Sequence, residues 1–482
     1  MFEKIKELSK DTLIYGVSNI VGRLLNFLFI PFFTNVFNPS EYGYVFLIYS
    51  YIAIFNIVYI YGLDSAFLKY AASRDLADDK DNFSTPYLSV LITSILISCL
   101  IIFFRNEISV LIKLPSNYSY LIIYASLILF FDSNAYIPFL KLRLERKATL
   151  FSTLKMMNIF VNLISNFILI FYFKLGIESI LISNLLAAFI TIIFLFPTII
   201  KNFRLNINFL LLKRLLKFGL PYLPAGLAVM FIQVIDVPIL EKLTNVETVG
   251  IYKANYKLGI FMMLFVGMFQ YAWQPFFLRN YKEQNIKEVF SKVLTYFCLV
   301  SSFLLIIISL FIEDVIRISF WGYHLIGEKY WAGIPIVPII LLGYMFNGLY
   351  VVFSAGIYIE EKSIYAPVVT GFGAIINVAA NFLLIPKLNI IGAALATLFS
   401  YIIMALGYYL VTQKYYKINY EYGRVIKIFI GILLSAVIYY SFLLDRHSVL
   451  IWKIIVLLSY IIFIYNFVLD KEEIKFIKSR IF

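Results

Sequence analysis

Four basic side chains interrupt otherwise apolar stretches of the sequence: Arg23, Lys155, Lys253 and Lys257. Each has polar company at helical spacing. Arg23 lies four residues after Asn19 and three before Asn26, which puts one polar stripe on one helix face. Lys155 begins a ladder with Asn158, Asn162 and Asn166, and Lys253 and Lys257 stand four apart beside Tyr256, so that their ammonium groups are expected to project the same way. Cations in apolar surroundings offset the desolvation of a phosphate or carboxylate and hold it by charge-assisted hydrogen bonds. Anion binding is therefore the chemistry open to these residues. Plainer roles compete with it: an arginine satisfied by helix carbonyls, an asparagine ladder that glues helices together, and a Lys253 that snorkels to the surface, which leaves Lys257 the stronger candidate of its pair.

The embedded carboxylates are fewer. Asp236, with Gln233 three residues earlier, and Asp132 are the candidates for a coupling cation or proton, whereas Asp64 reads as a helix cap or a partner of Lys69. No other cofactor is expected. The two histidines, His324 and His447, have no catalytic partner near them in sequence. The two cysteines, Cys99 and Cys298, both fall in apolar stretches, which excludes a disulfide framework or a Cys-based metal cluster and leaves them as small packing residues.

These side chains sit in elements dictated by composition. Of 482 residues 62% are hydrophobic and 14% charged, with a mean hydropathy of +0.88, so a soluble core of this size would have no polar surface. The apolar residues form blocks of the length a bilayer needs, about 20 residues of helix for a core about 30 Å thick. Fourteen spans follow, at about 12–36, 43–61, 86–104, 118–139, 150–172, 177–200, 217–240, 251–277, 290–312, 332–356, 364–385, 390–412, 425–443 and 449–468. No small-residue cleavage site follows the first block, so that span is expected to stay in the membrane.

A net charge of +13 would suggest nucleic acid in a soluble protein, but the placement of the charges gives another reason for it. With fourteen spans and a cytoplasmic start, 28 of the 41 Lys and Arg residues fall in cytoplasmic segments, nine fall outside and four lie within spans. That is the bias that orients spanning proteins, and miscounting one span would reverse it for every later loop. Both termini are expected in the cytoplasm. Aromatic residues, 18% of the chain, supply interfacial anchors such as Tyr42, Tyr44, Trp273 and Trp321.

The sequence also matches itself. An ungapped offset of 207 pairs Leu13-Ile-Tyr15 with Leu220-Pro-Tyr222, Pro31 with Pro238, Asn38 with Asn245 and Gly43 with Gly250. A second match, at 213 to 215, sets Asn166-Phe-Ile-Leu-Ile beside Asn381-Phe-Leu-Leu-Ile and Lys174-Leu-Gly beside Lys387-Leu-Asn. Two matches in nearly one register imply duplicated six-helix lobes. The fold expected is an all-α polytopic membrane protein of about fourteen transmembrane helices: an N-lobe over 1–205, a C-lobe over 206–415, and two C-terminal helices with a cytoplasmic tail over 416–482.

Asn38-Pro-Ser-Glu-Tyr-Gly43 after the first span, Val249-Gly-Ile-Tyr252 after the seventh, and Asn381-Phe-Leu-Leu-Ile-Pro386 leading to Gly392-Ala-Ala-Leu-Ala-Thr397 resemble the polysaccharide flippases, the Wzx-type O-antigen transporters of the multidrug/oligosaccharidyl-lipid/polysaccharide exporter superfamily. The resemblance covers essentially the whole chain in span count and motif order. It implies a V-shaped pair of lobes in the bacterial inner membrane that turns over a polyprenyl-pyrophosphate-linked oligosaccharide, an O-antigen or capsule repeat unit, by alternating access. A glycan polymerase and a chain-length regulator would be its partners, and nucleic acid would not. Arg23, Asn19, Asn26, Lys155, Lys253 and Lys257 would receive the anionic substrate.

Related branches supply the rival readings, a lipid II flippase and a cation-coupled multidrug exporter. The multidrug exporters commonly carry a cation-binding Asp in the first span, where this chain has Arg23, and that departure favours an anionic substrate and leaves the coupling Na+ or H+ open. A rival from another class is a membrane glycan polymerase or ligase. Its catalytic Arg or His would sit in long external loops, and the longest here, about 313–331, offers an isolated His324. A transporter rather than an enzyme is expected.

Overall fold

The computed structural model describes residues 20–22, 24–25, 27–73, 78–320, 322–362, 364–439, 441 and 450–481. Nearly all of them are helical. The helices run α1 (Ile20–Val36), α2 (Pro39–Ile60), α3 (Leu63–Ser73), α4 (Asp79–Phe103), α5 (Arg105–Leu111), α6 (Leu121–Leu144), α7 (Ala148–Phe167) and α8 (Glu178–Asn202). They continue as α9 (Phe209–Gly219), α10 (Tyr222–Val234), α11 (Asp236–Leu243), α12 (Val246–Tyr256), α13 (Ile260–Asn280) and α14 (Ile286–Arg317). After a two-residue hairpin, β1 (Ser319–Phe320) with β2 (Tyr323–His324), come α15 (Val337–Ile359), α16 (Tyr365–Tyr415), α17 (Tyr422–Ile438), α18 (Leu450–Phe467) and α19 (Lys471–Ile481).

Each of the fourteen apolar blocks meets a helix or a broken series of helices among the described residues. Ten helices are long and apolar enough to cross a membrane alone, or eleven if the bent pair α9 and α10 is one span. One of the ten, α16, is 51 residues long and is two of the expected spans, because Asn389 leaves the helical region at φ 52°, ψ −129°. Lipid explains the outer surface. Phe103 is 77% exposed and Leu383 69% exposed, which an aqueous protein could not tolerate helix after helix.

The spans that carry candidate residues break at local signals. Span 7 bends by 44° between α9 and α10 at Pro221, which has no N–H to donate, and stops again at Ile235 before α11. Span 8 is interrupted by a tight 3₁₀ turn over Lys257–Gly259 between α12 and α13. Asp236 and Lys257 therefore lie at helix breaks and not mid-helix.

The internal matches recur as geometry. Asn38 and Asn245, 207 residues apart, begin α2 and α12: the Asn38 backbone N–H donates to the Glu41 carboxylate at 2.9 Å, and the Asn245 side chain accepts from the Thr248 N–H at 2.8 Å. Asn166 donates to the Asn162 side chain at 3.0 Å on α7, and Asn381 repeats that bond to Asn377 at 3.0 Å on α16. Eight residues beyond each pair the backbone takes a positive φ, 54° at Lys174 and 52° at Asn389. The structural register is thus 215, and Lys174 corresponds to Asn389 where the local letter match had set it beside Lys387.

The chain divides into two compact units. The first holds the described residues up to Lys257 together with Gly327–Trp331 and Asn377–Ala393. Its apolar core includes Phe67, Phe83, Phe139, Leu154 and Leu195, drawn from α3, α4, α6, α7 and α8. The second holds the described residues of 258–326 and 332–376 and those from Ala394 onward. There Arg424 fastens the C-terminal helix, bonding Glu473 at 2.6 Å, Asp470 at 3.0 Å and Glu421 at 3.1 Å.

Candidate functional site

Two polar regions of the first unit share α2, one at each end. The first forms where the N-terminal turns of α2 and α12 cross. A Cβ on Gly43 would overlap the carbonyl oxygen of Val246, and a Cβ on Gly250 would overlap that of Pro39. These are corresponding positions of the 207-residue repeat, so the two helices meet through pseudo-equivalent glycines with backbone on backbone. Close approach of this kind needs the missing side chains.

The crossing brings Lys253 and Lys257 to different partners. The Lys253 ammonium lies 3.3 Å from each oxygen of Asp236, and the Tyr252 hydroxyl donates to the same carboxylate at 2.8 Å. Asp236 is 2% exposed and Lys253 is buried as well. Gln233, placed in sequence beside Asp236, is exposed on α10 on the other side of the Ile235 break. The Lys257 ammonium turns to α2, donating to the Tyr42 hydroxyl at 3.1 Å with the Phe46 ring centroid at 4.9 Å. The two ammonium groups thus engage different partners, although their charges still act on one another. Among the described residues Lys253 has a carboxylate partner and Lys257 has a phenol.

The second region lies toward the other end of α2, about 21 Å along the helix from Tyr42 to Asn56 at 1.5 Å per residue. Asn56 lines a cavity of about 340 Å³ enclosed with α6, α7 and α8. Asp132, Lys155 and Arg143 line it too, with the amides of Asn158 and Asn184. Lys155 lines this cavity although its helix is apolar, and its ammonium stands 4.3 Å from the Phe139 ring centroid. Asp132 and Lys155, assigned separate roles from sequence, share one cavity. Their charges interact, yet no ion pair joins them. The wall is fixed by Asn158 donating to Thr191 at 2.9 Å and by Asn184 donating to the Tyr49 hydroxyl at 2.9 Å.

Of the ladder that begins at Lys155, Lys155 and Asn158 line the cavity, while Asn162 and Asn166 bond within their own helix. Asn19, Arg23 and Asn26 lie outside the described residues, as does Trp321. Sequence reasoning missed Asn56, Asn184 and Arg143. Asn56 and Asn184 carried a usable signal, a single polar residue in an apolar span, while Arg143 was counted with the loop charges.

This fold of many membrane-length helices is shared with solved structures of other polytopic proteins. A solved structure of the lipid II flippase MurJ in an inward closed conformation superposes with a TM-score of 0.75 at 18% identity, covering 94% of this chain and 98% of that one. An inward-facing multidrug resistance MATE family transporter of the MOP superfamily gives 0.65 at 15% identity, over 85% of this chain and 96% of the other. An outward-facing one gives 0.58 at 14%, over 87% and 96%. No curated protein matches the sequence. A family model described as polysaccharide biosynthesis protein matches residues 34–323, and the chain belongs to that family.

Proposed function

We propose that this chain is a flippase that turns over a polyprenyl-pyrophosphate-linked oligosaccharide, an O-antigen or capsule repeat unit, across the bacterial inner membrane by alternating access. The observation that carries the reading is the asymmetry of α2: glycine-on-backbone packing around Tyr42 and an open, charged cavity at Asn56. A path closed at one end and hydrated at the other is what one state of an alternating-access carrier requires. Membership of the polysaccharide biosynthesis protein family supports a saccharide cargo. Cations near the path support an anionic linkage, with Lys155 and Lys257 as its receivers and Arg23, flanked by Asn19 and Asn26, as a third.

Asp132 is the carboxylate we assign to coupling by Na+ or H+, since it lines the cavity beside Lys155, whereas Asp236 is committed to Lys253. The charged ends of α6 and α7 that flank the cavity hold Lys141, Arg143 and Lys147, which on the Lys and Arg bias puts its mouth on the cytoplasmic side with both termini. A glycan polymerase and a chain-length regulator are the partners this role calls for. Transport, and not catalysis, is the activity proposed.

The MurJ likeness favours a second reading, flipping of lipid II. Complementation separates the two. Restoration of surface glycan in a strain lacking its O-antigen flippase, without rescue of a strain lacking the lipid II flippase, is the expected result, and the reverse pattern overturns the proposal. Alanine at Arg23 or Lys257 is expected to abolish the glycan while the protein remains in the membrane.

A further inference from the structure

The loop joining α14 to α15 contributes five residues, Gly327–Trp331, to the first unit, while the chain on both sides of them belongs to the second. These five residues are held closely. The Gly327 N–H donates to the Thr34 hydroxyl at 3.0 Å, and a Cβ on Gly327 would overlap the Thr34 carbonyl oxygen. The Lys329 ammonium reaches the Asn38 side chain at 2.5 Å. Tyr330 is fully buried: its hydroxyl donates to the Phe37 carbonyl at 2.9 Å, and its own carbonyl accepts from Asn255 at 2.8 Å. Loops otherwise run over the surface, so a tyrosine seated this deeply fastens the connection to the first unit.

The seat reaches Lys257 through Tyr42. The Tyr330 ring packs edge-on against Tyr42, centroids 6.2 Å apart, and Tyr42 is the residue that takes the Lys257 hydrogen bond. An anion that draws the Lys257 ammonium away removes the bond orienting Tyr42, and Tyr42 forms one wall of the Tyr330 seat.

We propose that Gly327–Trp331 is a latch that must leave its seat for the chain to change state, and that Tyr42 links the latch to the occupancy of Lys257. The latch rests on the transport reading above. It adds a mechanical part: the loop, and not only the helix crossing, holds this end shut. Asn255 and the Phe37 carbonyl hold the seated state, and Lys257 is the release.

Spin labels at Glu328→Cys and Lys242→Cys test it, with Cys99 and Cys298 replaced by serine and the full chain in liposomes of bacterial phospholipid. Two distance populations are expected. Tyr42→Phe shifts their ratio toward the longer distance by roughly tenfold, the size of one hydrogen bond from a charged group, and Tyr330→Ala empties the shorter one. A single population unmoved by either substitution overturns the latch. In cells, bridging Asn38→Cys to Lys329→Cys with a short bis-methanethiosulfonate is expected to stop surface glycan assembly, with recovery on reduction. Normal glycan from the bridged chain overturns the latch and leaves the transport reading standing. Absence of glycan from the unbridged chain, with the spin-label shift present, sinks the transport reading and leaves the latch.

Discussion

The two ends of α2 differ in how they treat charge. Around Tyr42 the charged groups and phenols are paired: Asp236 with Lys253 and Tyr252, Lys257 with Tyr42, Tyr330 with the Phe37 carbonyl. Around Asn56 a carboxylate and an ammonium share a cavity without an ion pair between them. A buried ion pair stabilises little on balance but is costly to break, whereas charges kept apart in a wet cavity stay available to a ligand. On the transport reading proposed above, the packed end serves closure, with Lys257 the one cation it offers to an anion, and the open end serves binding.

Substitutions that unbalance the packed end have the largest expected effect. Asp236→Ala strands a buried Lys253 and is expected to cost about 3–5 kcal/mol, seen as a large drop in melting temperature in detergent. The double substitution Asp236→Leu with Lys253→Met recovers most of it, and if the single and double variants melt together the pair is not buried as described. Next comes Gly250→Val, whose side chain meets a carbonyl that cannot move aside. Overpacking of this kind is expected to cost about 1–3 kcal/mol and to weaken closure without touching the cavity.

The open end behaves in the opposite way. Lys155→Met is expected to move stability by less than about 0.5 kcal/mol, as solvent-exposed changes do, yet to remove surface glycan in the complementation assay. A stable, fully active Lys155→Met would show that the cavity is not on the transport path. The smallest expected effect is that of Asp132→Asn. Melting stays within about 0.5 kcal/mol, and transport in liposomes loses its dependence on pH or on Na+, whichever the wild-type chain shows; unaltered dependence removes Asp132 from coupling.

Much of this comparison was legible in the sequence. Lys155, Asp132, Lys257 and Asp236 stand out because an ionisable residue in an apolar block is rare at any position, so its type alone marks it. The pairing of Gly43 with Gly250 came from self-comparison and proved to be a physical contact of corresponding residues. Which charges neutralise one another was not legible. Lys253 and Lys257 stand one helical turn apart, and that spacing does not say that one turns to Asp236 and the other to Tyr42. The seat of Tyr330 was equally hidden, because it joins residues nearly 300 apart through backbone groups that carry no sequence signal. The one-helix reading of span 7 overlooked what Pro221 and Pro224 do to the backbone hydrogen-bond ladder.

The difference between the ends is tested most directly by labelling single cysteines with a membrane-impermeant maleimide. Phe46→Cys and Asn158→Cys, each in a chain lacking Cys99 and Cys298, are compared in right-side-out and inside-out vesicles. Rapid labelling of Asn158→Cys from one face only, with Phe46→Cys protected from both, is the expected result. Labelling of Phe46→Cys with Asn158→Cys protected would contradict the assignment of the closed and open ends.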